Sequence, residues 1–279
     1  MPTKCSLFNE DCFDTMKRMC DEGKKVDIIL TSPPYNMTKR KGGISDTGRY
    51  DVYEDWKREE EYLDWTVKLF NMFDKILGKN KTILYNFSYS IENPSLPCKL
   101  VVELEKKTDF MLIDTIIWKK KSGIPFPANK RRLSRNWENV FVFVRKNEID
   151  TYDNNRNVKS VSEKTGQSYY EVVYNFIEAK NNDGACKLNQ ATYSSELCEK
   201  LLSIYAKDGY TVYDPFMGTG TTAIACLRYN DRNNQITCIG SELSTAQVGY
   251  SKDRILESFP SAKVKAKAAD NADANNAEN

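Results

Sequence analysis

A serine, two prolines and a tyrosine follow the apolar run 26–31 directly, in the stretch ILTSPPYNMTK. Proline lacks a backbone N–H and has a fixed φ, so Pro33 and Pro34 should end a central strand and hold the next residues in a rigid, extended turn. Ser32 and Tyr35 would then present a hydroxyl and an aromatic ring from a fixed position. The alternative is a turn that only ends the strand, with Tyr35 in the core.

A second stretch, TVYDPFMGTGTTAIACLRY at residues 211–229, runs from an apolar strand through Asp214 into a turn with Gly218 and Gly220. A helix is predicted to begin at the threonines after this turn. Glycines let a backbone approach a ligand closely, and a helix N-terminus favours negative charge such as a carboxylate. The stretch is neither a Walker loop nor a complete GxGxxG motif.

An acidic residue, Glu242, follows the next predicted strand, in the stretch CIGSEL. In a Rossmann-type unit, an acid at this point can accept hydrogen bonds from both ribose hydroxyls of a nucleotide-like ligand. The alternative is an ordinary exposed glutamate at the start of a helix.

Basic residues are concentrated between Lys119 and Lys146, where the only acidic residue is Glu138. The nine basic residues are Lys119, Lys120, Lys121, Lys130, Arg131, Arg132, Arg135, Arg145 and Lys146. Aromatic and proline residues are interleaved with them, which suits a surface that follows a phosphate backbone and offers rings for stacking. The alternative is a solvated face.

The composition excludes several kinds of chemistry. The chain has no histidine, so mechanisms built on an imidazole base are excluded. Its 8 cysteines contain no CxxC pair, and we therefore expect reduced thiols and no metal site. No run of about 18 apolar residues is present, and the N-terminus lacks a signal-peptide pattern, so we expect an intracellular protein without a membrane segment.

The elements that would position these residues alternate between strands and helices, which predicts an α/β fold. The predicted strands are short and nearly continuously apolar, as strands covered on both faces are, at residues 26–31, 81–87, 110–118, 139–144, 210–214 and 235–240. Helical periodicity is clear at residues 59–77 and 194–206. The polar stretch 147–187 breaks the alternation and is interpreted as an insertion. Residues 262–279 lack apolar periodicity and are expected to be disordered.

These motifs together resemble the DNA amino-methyltransferases, which transfer a methyl group from S-adenosylmethionine to N4 of cytosine or N6 of adenine. TSPPY resembles their catalytic motif, DPFMGTGTT their cofactor loop, and GSELSTAQVGYSKDRI the segment after the following strand. The resemblance covers roughly residues 5–256. Because the catalytic motif precedes the cofactor motif, the chain resembles the permuted beta class.

The resemblance implies a Rossmann-like methyltransferase fold with a mostly parallel central sheet and a circularly permuted motif order. Residues 1–146 would form the catalytic half, 147–187 a variable insertion that is a candidate target-recognition element, and 188–261 the cofactor-binding half. The implied cofactor is S-adenosylmethionine, with a site made of Asp11, Asp214, Pro215, Phe216, Gly218, Gly220, Thr221 and Glu242. The implied catalytic residues are Ser32, Pro33, Pro34 and Tyr35.

The chemistry that the resemblance implies explains the rigid turn. An aromatic exocyclic amine is a poor nucleophile because its lone pair is delocalised into the ring. Hydrogen bonds to the Ser32 hydroxyl and the Pro33 carbonyl would localise that lone pair, and Tyr35 would stack on a base flipped out of the duplex. The methyl transfer would be a direct displacement. On this reasoning Tyr35→Phe should be tolerated, because stacking needs only the ring.

Two departures from the family's pattern qualify the resemblance. Relatives commonly carry His-Pro-Ala-x-Phe-Pro where this chain has NQATYS at residues 189–194, so a cofactor contact there is expected to differ. Ser32 favours cytosine N4 over adenine N6 as the target. The sequence also leaves open a protein-glutamine methyltransferase and a catalytically inactive DNA-binding partner.

The resemblance implies double-stranded DNA as the partner, allows a homodimer, and suggests a role in restriction–modification. The nucleic-acid contacts would come from the basic segment, through Lys119, Lys121, Lys130, Arg131, Arg132 and Arg135.

The basic segment yields a salt-dependence prediction. Each phosphate contact that is lost reduces the log–log salt slope of DNA binding by roughly one unit. Neutralising Arg131, Arg132 and Arg135 together should therefore flatten the slope in a titration at several salt concentrations. An unaltered slope would mean that the segment is only a solvated face.

Overall fold

The computed structural model describes residues 4–37, 52, 57–89, 92–123, 130–131, 133–184, 186, 188–189, 191–231 and 235–268. The helices are α1 (Cys12–Asp21), α2 (Glu59–Ile76), α3 (Leu96–Lys107), α4 (Ser195–Tyr205), α5 (Thr221–Asn230) and α6 (Thr245–Ser258). The strands are β1 (Lys4–Asn9), β2 (Val26–Thr31), β3 (Leu77–Phe87), β4 (Phe110–Lys120), β5 (Trp137–Arg145), β6 (Val158–Val161), β7 (Ser168–Tyr170), β8 (Phe176–Ala179), β9 (Thr211–Asp214), β10 (Thr237–Ser241) and β11 (Lys263–Ala268).

Nine strands form one sheet in the order β11-β1-β10-β9-β2-β3-β5-β4-β8. Only β5 among them runs antiparallel to its neighbours, β3 and β4, in the part of the chain that the structure describes. Strands β6 and β7 form a separate two-stranded antiparallel sheet. The predicted α/β fold with a mostly parallel central sheet is therefore confirmed.

Helices cover both faces of the sheet, and this explains the apolar strands. Successive side chains of a strand point to opposite faces. In β2, Ile28 and Leu30 belong to the core cluster that includes residues of α4, α5 and α6, whereas Ile29 belongs to the cluster that includes residues of α1, α2 and α3. A strand that is buried on both faces must be apolar at nearly every position.

All six strands predicted from the sequence are present, although several are longer than predicted. Strands β1, β6, β7, β8 and β11 were not predicted. The segment 147–187 contributes β8 to the edge of the main sheet beside β4, and the division of the chain at residues 146 and 187 stays a prediction. No helix among the described residues is long and apolar enough to cross a membrane.

The expectation of a disordered tail at residues 262–279 is wrong for residues 263–268. Strand β11 pairs in parallel with β1 over all six of its residues, from Lys4↔Lys263 to Asn9↔Ala268. Its sequence, KVKAKA, alternates charged with small residues and therefore gives little apolar signal. The pairing depends on the backbone of β1, which a local pattern does not reveal. Residues 269–279 lie outside the described residues.

This edge strand yields a stability prediction. A chain that ends at residue 262 loses the backbone hydrogen bonds of β11, and β1 becomes an exposed edge, which favours aggregation. We expect a lower urea midpoint and more aggregation on heating than in the full chain. A chain that ends at residue 268 is the matched control and should behave as the full chain does. Equal midpoints for the two truncated chains would contradict the role of β11.

Candidate active site

The two sequence motifs meet at the ends of neighbouring strands. Strands β2 and β9 pair in parallel, with Ile28 opposite Val212 and Ile29 opposite Tyr213. Because carboxyl ends of parallel strands lie at the same edge of a sheet, the turn after β2 lies beside the loop after β9. A pocket at this edge is lined by Ser32, Pro34, Val52, Asn189, Ala191, Thr192, Tyr193, Phe216, Met217, Gly218, Thr219, Thr221, Glu242, Leu243 and Gln247.

Six of the predicted site residues line this pocket: Ser32, Pro34, Phe216, Gly218, Thr221 and Glu242. Six others do not line it: Asp11, Pro33, Tyr35, Asp214, Pro215 and Gly220. Asp11 is the N-cap of α1, where its carboxylate accepts a hydrogen bond from the Phe13 backbone N–H at 2.8 Å. The structure thus brings half of the predicted residues to one pocket and leaves the other half outside its lining.

Asp214 is a fully buried carboxylate beneath the loop. It accepts hydrogen bonds from the Thr31 hydroxyl at 2.7 Å and from the Phe216 backbone N–H at 3.0 Å. The hydroxyls of Thr222 and Tyr193 donate to its other oxygen. Burial raises the pKa of Asp214 above its ordinary value, and the hydrogen bonds from Thr222 and Thr31 oppose that rise. Asp214 therefore ties β2, β9 and α5 together rather than facing the pocket.

The two glycines of the loop have different roles. Both have left-handed backbone, with φ of 53° at Gly218 and 86° at Gly220. A Cβ on Gly220 would lie 2.3 Å from Oγ of Ser251 on α6, so this glycine is required by packing between the loop and that helix. A Cβ on Gly218 would lie 3.0 Å from Nδ2 of Asn189, which lines the pocket. Of the two, Gly218 is the one that lies at the pocket itself.

Glu242 is fixed at the pocket by backbone donors. Its Oε2 accepts from the Gly218 N–H and its Oε1 from the Ser244 N–H, both at 2.9 Å. It directly follows β10 and contacts the glycine loop, and its hydrogen bonds to a nucleotide-like ligand stay a prediction.

The segment 189–194, which differs from the family's pattern, also contributes to the pocket wall. The Asn189 amide donates to Oε1 of Gln247 at 3.0 Å and accepts from the Ala191 N–H at 2.9 Å. The Tyr193 hydroxyl is hydrogen-bonded to Thr222 and Asp214. Burial raises the pKa of Tyr193 well above its ordinary value, so this phenol stays protonated.

The turn after β2 is held by side chains that the sequence analysis did not assign. The Tyr62 hydroxyl of α2 donates to the Pro34 carbonyl at 2.6 Å. Asn36, with φ of 56°, accepts from the Lys57 N–H at 2.6 Å and donates to the Lys57 carbonyl at 3.0 Å. The Tyr35 ring packs edge-on against Phe87, with centroids 5.2 Å apart. The rigidity expected from Pro33 and Pro34 is thus reinforced from α2 and β3.

Hydrogen bonds connect this turn to β3 and β5. Ser32 Oγ lies 2.8 Å from the Tyr35 hydroxyl, which donates to Oε2 of Glu138 at 3.1 Å. The Asn86 amide lies within hydrogen-bond distance of all three groups. Lys120 forms an ion pair with the other oxygen of Glu138 at 2.5 Å. The sequence signal for Glu138 was its position as the only acid in the basic segment.

Several cations of the basic segment are paired. Lys119 contacts Glu178 at 2.5 Å and Lys121 contacts Glu196 at 3.0 Å. The Arg135 guanidinium donates to the Tyr89 carbonyl and lies 4.4 Å from the centroid of the Tyr89 ring. Lys130 and Arg131 are exposed, and Arg132 lies outside the described residues. No group of His, Cys, Asp and Glu among the described residues could hold a metal ion.

The buried carboxylate yields a pH prediction. The pKa of Asp214 is raised in the folded protein, so its contribution to the stability is fully present at pH values below the ordinary pKa of an aspartate. That contribution is lost as the pH rises through the raised folded pKa. Urea unfolding of wild type and Asp214→Asn at a series of pH values should therefore show the wild type losing stability relative to the variant as pH rises. A gap that is constant with pH would contradict the raised pKa.

Known DNA methylases are similar to the chain over most of its length. The family model described as DNA methylase, for N6 and N4 methyltransferases, matches residues 26–253. The type II methyltransferase M.BglII of Bacillus subtilis is 22% identical over 238 residues, which cover 78% of this chain and 61% of that protein. M.MwoI of Methanothermobacter wolfeii is 26% identical over 220 residues, which cover 76% of this chain and 28% of that protein. The chain thus spans less than two thirds of the length of either relative.

Solved structures share the fold. The PvuII DNA methyltransferase, described as cytosine-N4-specific, superposes with a TM-score of 0.65 at 18% identity and covers 92% of this chain and 88% of its own. The structure of M1.HpyAVI gives a TM-score of 0.60 at 22% identity, covering 90% of this chain and 98% of its own. Because the family model spans well over half of the sequence, the chain belongs to the N6/N4 DNA methylase family.

Proposed function

We propose that this chain is a site-specific DNA methyltransferase that transfers the methyl group of S-adenosylmethionine to the exocyclic amine of a flipped base, with N4 of cytosine as the target. One observation carries the proposal. Ser32 of the catalytic motif and Gly218 of the glycine loop line the same pocket, at the ends of the directly paired strands β2 and β9. A methyl donor and a target amine held by these two motifs would therefore meet between adjacent strands.

The residues of the pocket fit the chemical groups of S-adenosylmethionine. Glu242 would accept hydrogen bonds from the ribose hydroxyls. The N-terminus of α5, with Thr219 and Thr221 at the pocket, favours the carboxylate because of the helix dipole and the backbone N–H groups of the first helical turn. Phe216 supplies an aromatic wall and packs on Trp65, with centroids 5.8 Å apart. When bound, the cofactor supplies an electrophilic methyl group.

The protein's part in the reaction is to prepare the nucleophile. The Ser32 hydroxyl and the Pro33 carbonyl would each accept an N–H of the target amine, and the lone pair would then point away from the ring plane. The Pro33 carbonyl must already point towards the amine before the base binds. The restricted backbone of Pro33 and Pro34 and the hydrogen bond from the Tyr62 hydroxyl to the Pro34 carbonyl hold the turn in that position. Tyr35 would stack on the flipped base. The preference for cytosine rests on Ser32 as the first residue of the motif.

DNA would be contacted by the basic segment and by the element at 147–187. Four aromatic residues there are about half exposed or more: Tyr169, Tyr170, Tyr174 and Phe176. Arg156 lies over the Tyr170 ring at 5.7 Å. Exposed rings beside a cation are suited to stacking and groove contacts in target recognition. A homodimer remains a proposal that sedimentation at several concentrations would test.

The proposal predicts a specific mark on DNA. Sequencing that detects modified bases, applied to DNA from cells that express the protein, should show N4-methylcytosine within one short sequence context. Ser32→Ala should lower single-turnover methylation of that sequence by about 10² or somewhat more, the scale for one preorganised polar contact, and leave S-adenosylmethionine binding nearly unchanged.

The outcomes separate the parts of the proposal. N6-methyladenine would contradict the target base but not the amino-methyltransferase activity. Unmodified DNA together with calorimetric binding of S-adenosylmethionine would contradict the DNA substrate. Full activity in Ser32→Ala would contradict the role of that hydroxyl.

A further inference from the structure

Four polar side chains form a row across adjacent strands at the edge where the pocket lies. The row, called here the polar row, runs from Ser32 after β2 through Asn86 in β3 and Glu138 in β5 to Lys120 in β4. Two positions away from each of these residues, in the same order, lies a residue of one core cluster: Leu30, Leu84, Val140 and Trp118. Because alternate residues of a strand point to the same face, all four polar side chains lie on one face of the sheet. The row is continuous because β2, β3, β5 and β4 are successive neighbours.

Most of the row is shielded from solvent. Asn86 is completely buried, and the side chains of Glu138 and Lys120 are 14% and 18% exposed. A shielded carboxylate needs partners, and Glu138 has the Lys120 ammonium on Oε1 and the Tyr35 hydroxyl with the Asn86 amide on Oε2. The Glu138 carboxylate is therefore held in one position behind the catalytic turn.

The donors and acceptors give the chain of hydrogen bonds a direction. The carboxylate of an ion pair only accepts, so the single proton of the Tyr35 hydroxyl is donated to Glu138. The Tyr35 oxygen then accepts, at 2.8 Å, the proton of the Ser32 hydroxyl. With its proton turned towards Tyr35, Ser32 presents lone pairs. Because its one proton is already donated to Tyr35, the Ser32 hydroxyl can only accept a hydrogen bond from a further group.

We propose that Glu138, acting through the hydroxyl of Tyr35, is a positioning residue that fixes Ser32 as a hydrogen-bond acceptor for the target amine. This inference rests on the proposed function, because it assigns a direction to the Ser32 contact with the amine. It predicts, contrary to the expectation from stacking alone, that Tyr35→Phe impairs methylation. The phenylalanine ring retains stacking but breaks the link between Ser32 and Glu138. Asn86 supports the link by donating towards Tyr35, Glu138 and Ser32, and a second lone pair of the Ser32 oxygen is left for the amine.

Two variants interrupt the chain at different points. Tyr35→Phe removes the middle hydroxyl. Glu138→Gln replaces an obligate acceptor by an amide that can donate to Tyr35, and the direction of the chain can then reverse. With excess enzyme over a DNA duplex that carries the recognition sequence found by sequencing, each variant should lower the single-turnover methylation rate by about 10- to 100-fold. Affinities for DNA and S-adenosylmethionine should stay within about threefold of wild type, because neither change removes the ring or the cofactor contacts.

Matched control residues lie at the other end of the strands, away from the pocket. Glu148→Gln alters a buried glutamate that is paired with Arg145, and Tyr210→Phe removes a phenol hydroxyl that donates to Asp153. Both controls should retain the wild-type rate. The double variant Tyr35→Phe with Glu138→Gln should be no slower than the slower single variant, because the two groups act through one chain.

A second measurement works without activity. In protein labelled at the tyrosine Cζ, the hydroxyl proton of Tyr35 should resonate downfield and exchange slowly with water, and it should shift upfield in Glu138→Gln. If the wild type methylates no DNA, the proposed function is refuted, while this proton still reports whether the directed chain exists. Rates within about twofold of wild type in both variants, additive losses in the double variant, or an unshifted hydroxyl proton would overturn the positioning role.

Discussion

The arrangement of the site depends on one buried hydrogen bond, from the Thr31 hydroxyl at the end of β2 to the Asp214 carboxylate at the end of β9. A carboxylate with no solvent exposure costs several kcal/mol unless donors surround it. Asp214 satisfies this requirement with hydroxyls from β2, α5 and the segment before α4, together with a backbone N–H of its own loop. Displacing any one of these elements would remove a hydrogen-bond donor from a fully buried carboxyl group. The turn after β2 and the glycine loop after β9 are therefore fixed relative to each other.

The glycine loop transmits this constraint to the far wall of the pocket. Gly220 allows the Ser251 side chain of α6 to approach the loop closely, and the Gly218 N–H binds the Glu242 carboxylate after β10. The position of Glu242 is thus set by the loop that Asp214 anchors. A pocket that is preorganised in this way needs little ordering when a ligand binds, and less binding free energy is lost to conformational entropy.

Local signals in the sequence predicted the parts of the site but not their connections. Pro33, Pro34, Gly218 and the apolar strands have conformational preferences that are visible within a few residues. The sequence grouped Asp214 and Gly220 with Gly218 and Glu242, and only the structure shows that the first two do not line the pocket, since that distinction depends on which way a side chain or a Cβ vector points. Strand β11 was missed because its stabilising contacts are backbone hydrogen bonds to β1, at the other end of the chain. The hydrogen bond between Tyr35 and Glu138 joins residues 103 positions apart in the sequence. It forms because β5 is antiparallel to β3, which brings the start of β5 to the carboxyl end of β3.

Three consecutive lysines at the end of β4 show how the fold divides a run of charge into separate roles. Lys120 lies on the face of the polar row, is 18% exposed, and pairs with Glu138 in the site. Lys119 and Lys121 are 40% and 48% exposed and pair with Glu178 and Glu196. Exposed ion pairs contribute little stability, so Lys119 and Lys121 can exchange a carboxylate for a phosphate at small cost. If Lys120 moved away, by contrast, the shielded carboxylate of Glu138 would lose its ion-pair partner. Counting charges along the sequence therefore overstates the positive charge of this surface, because Lys120 is shielded and paired with Glu138.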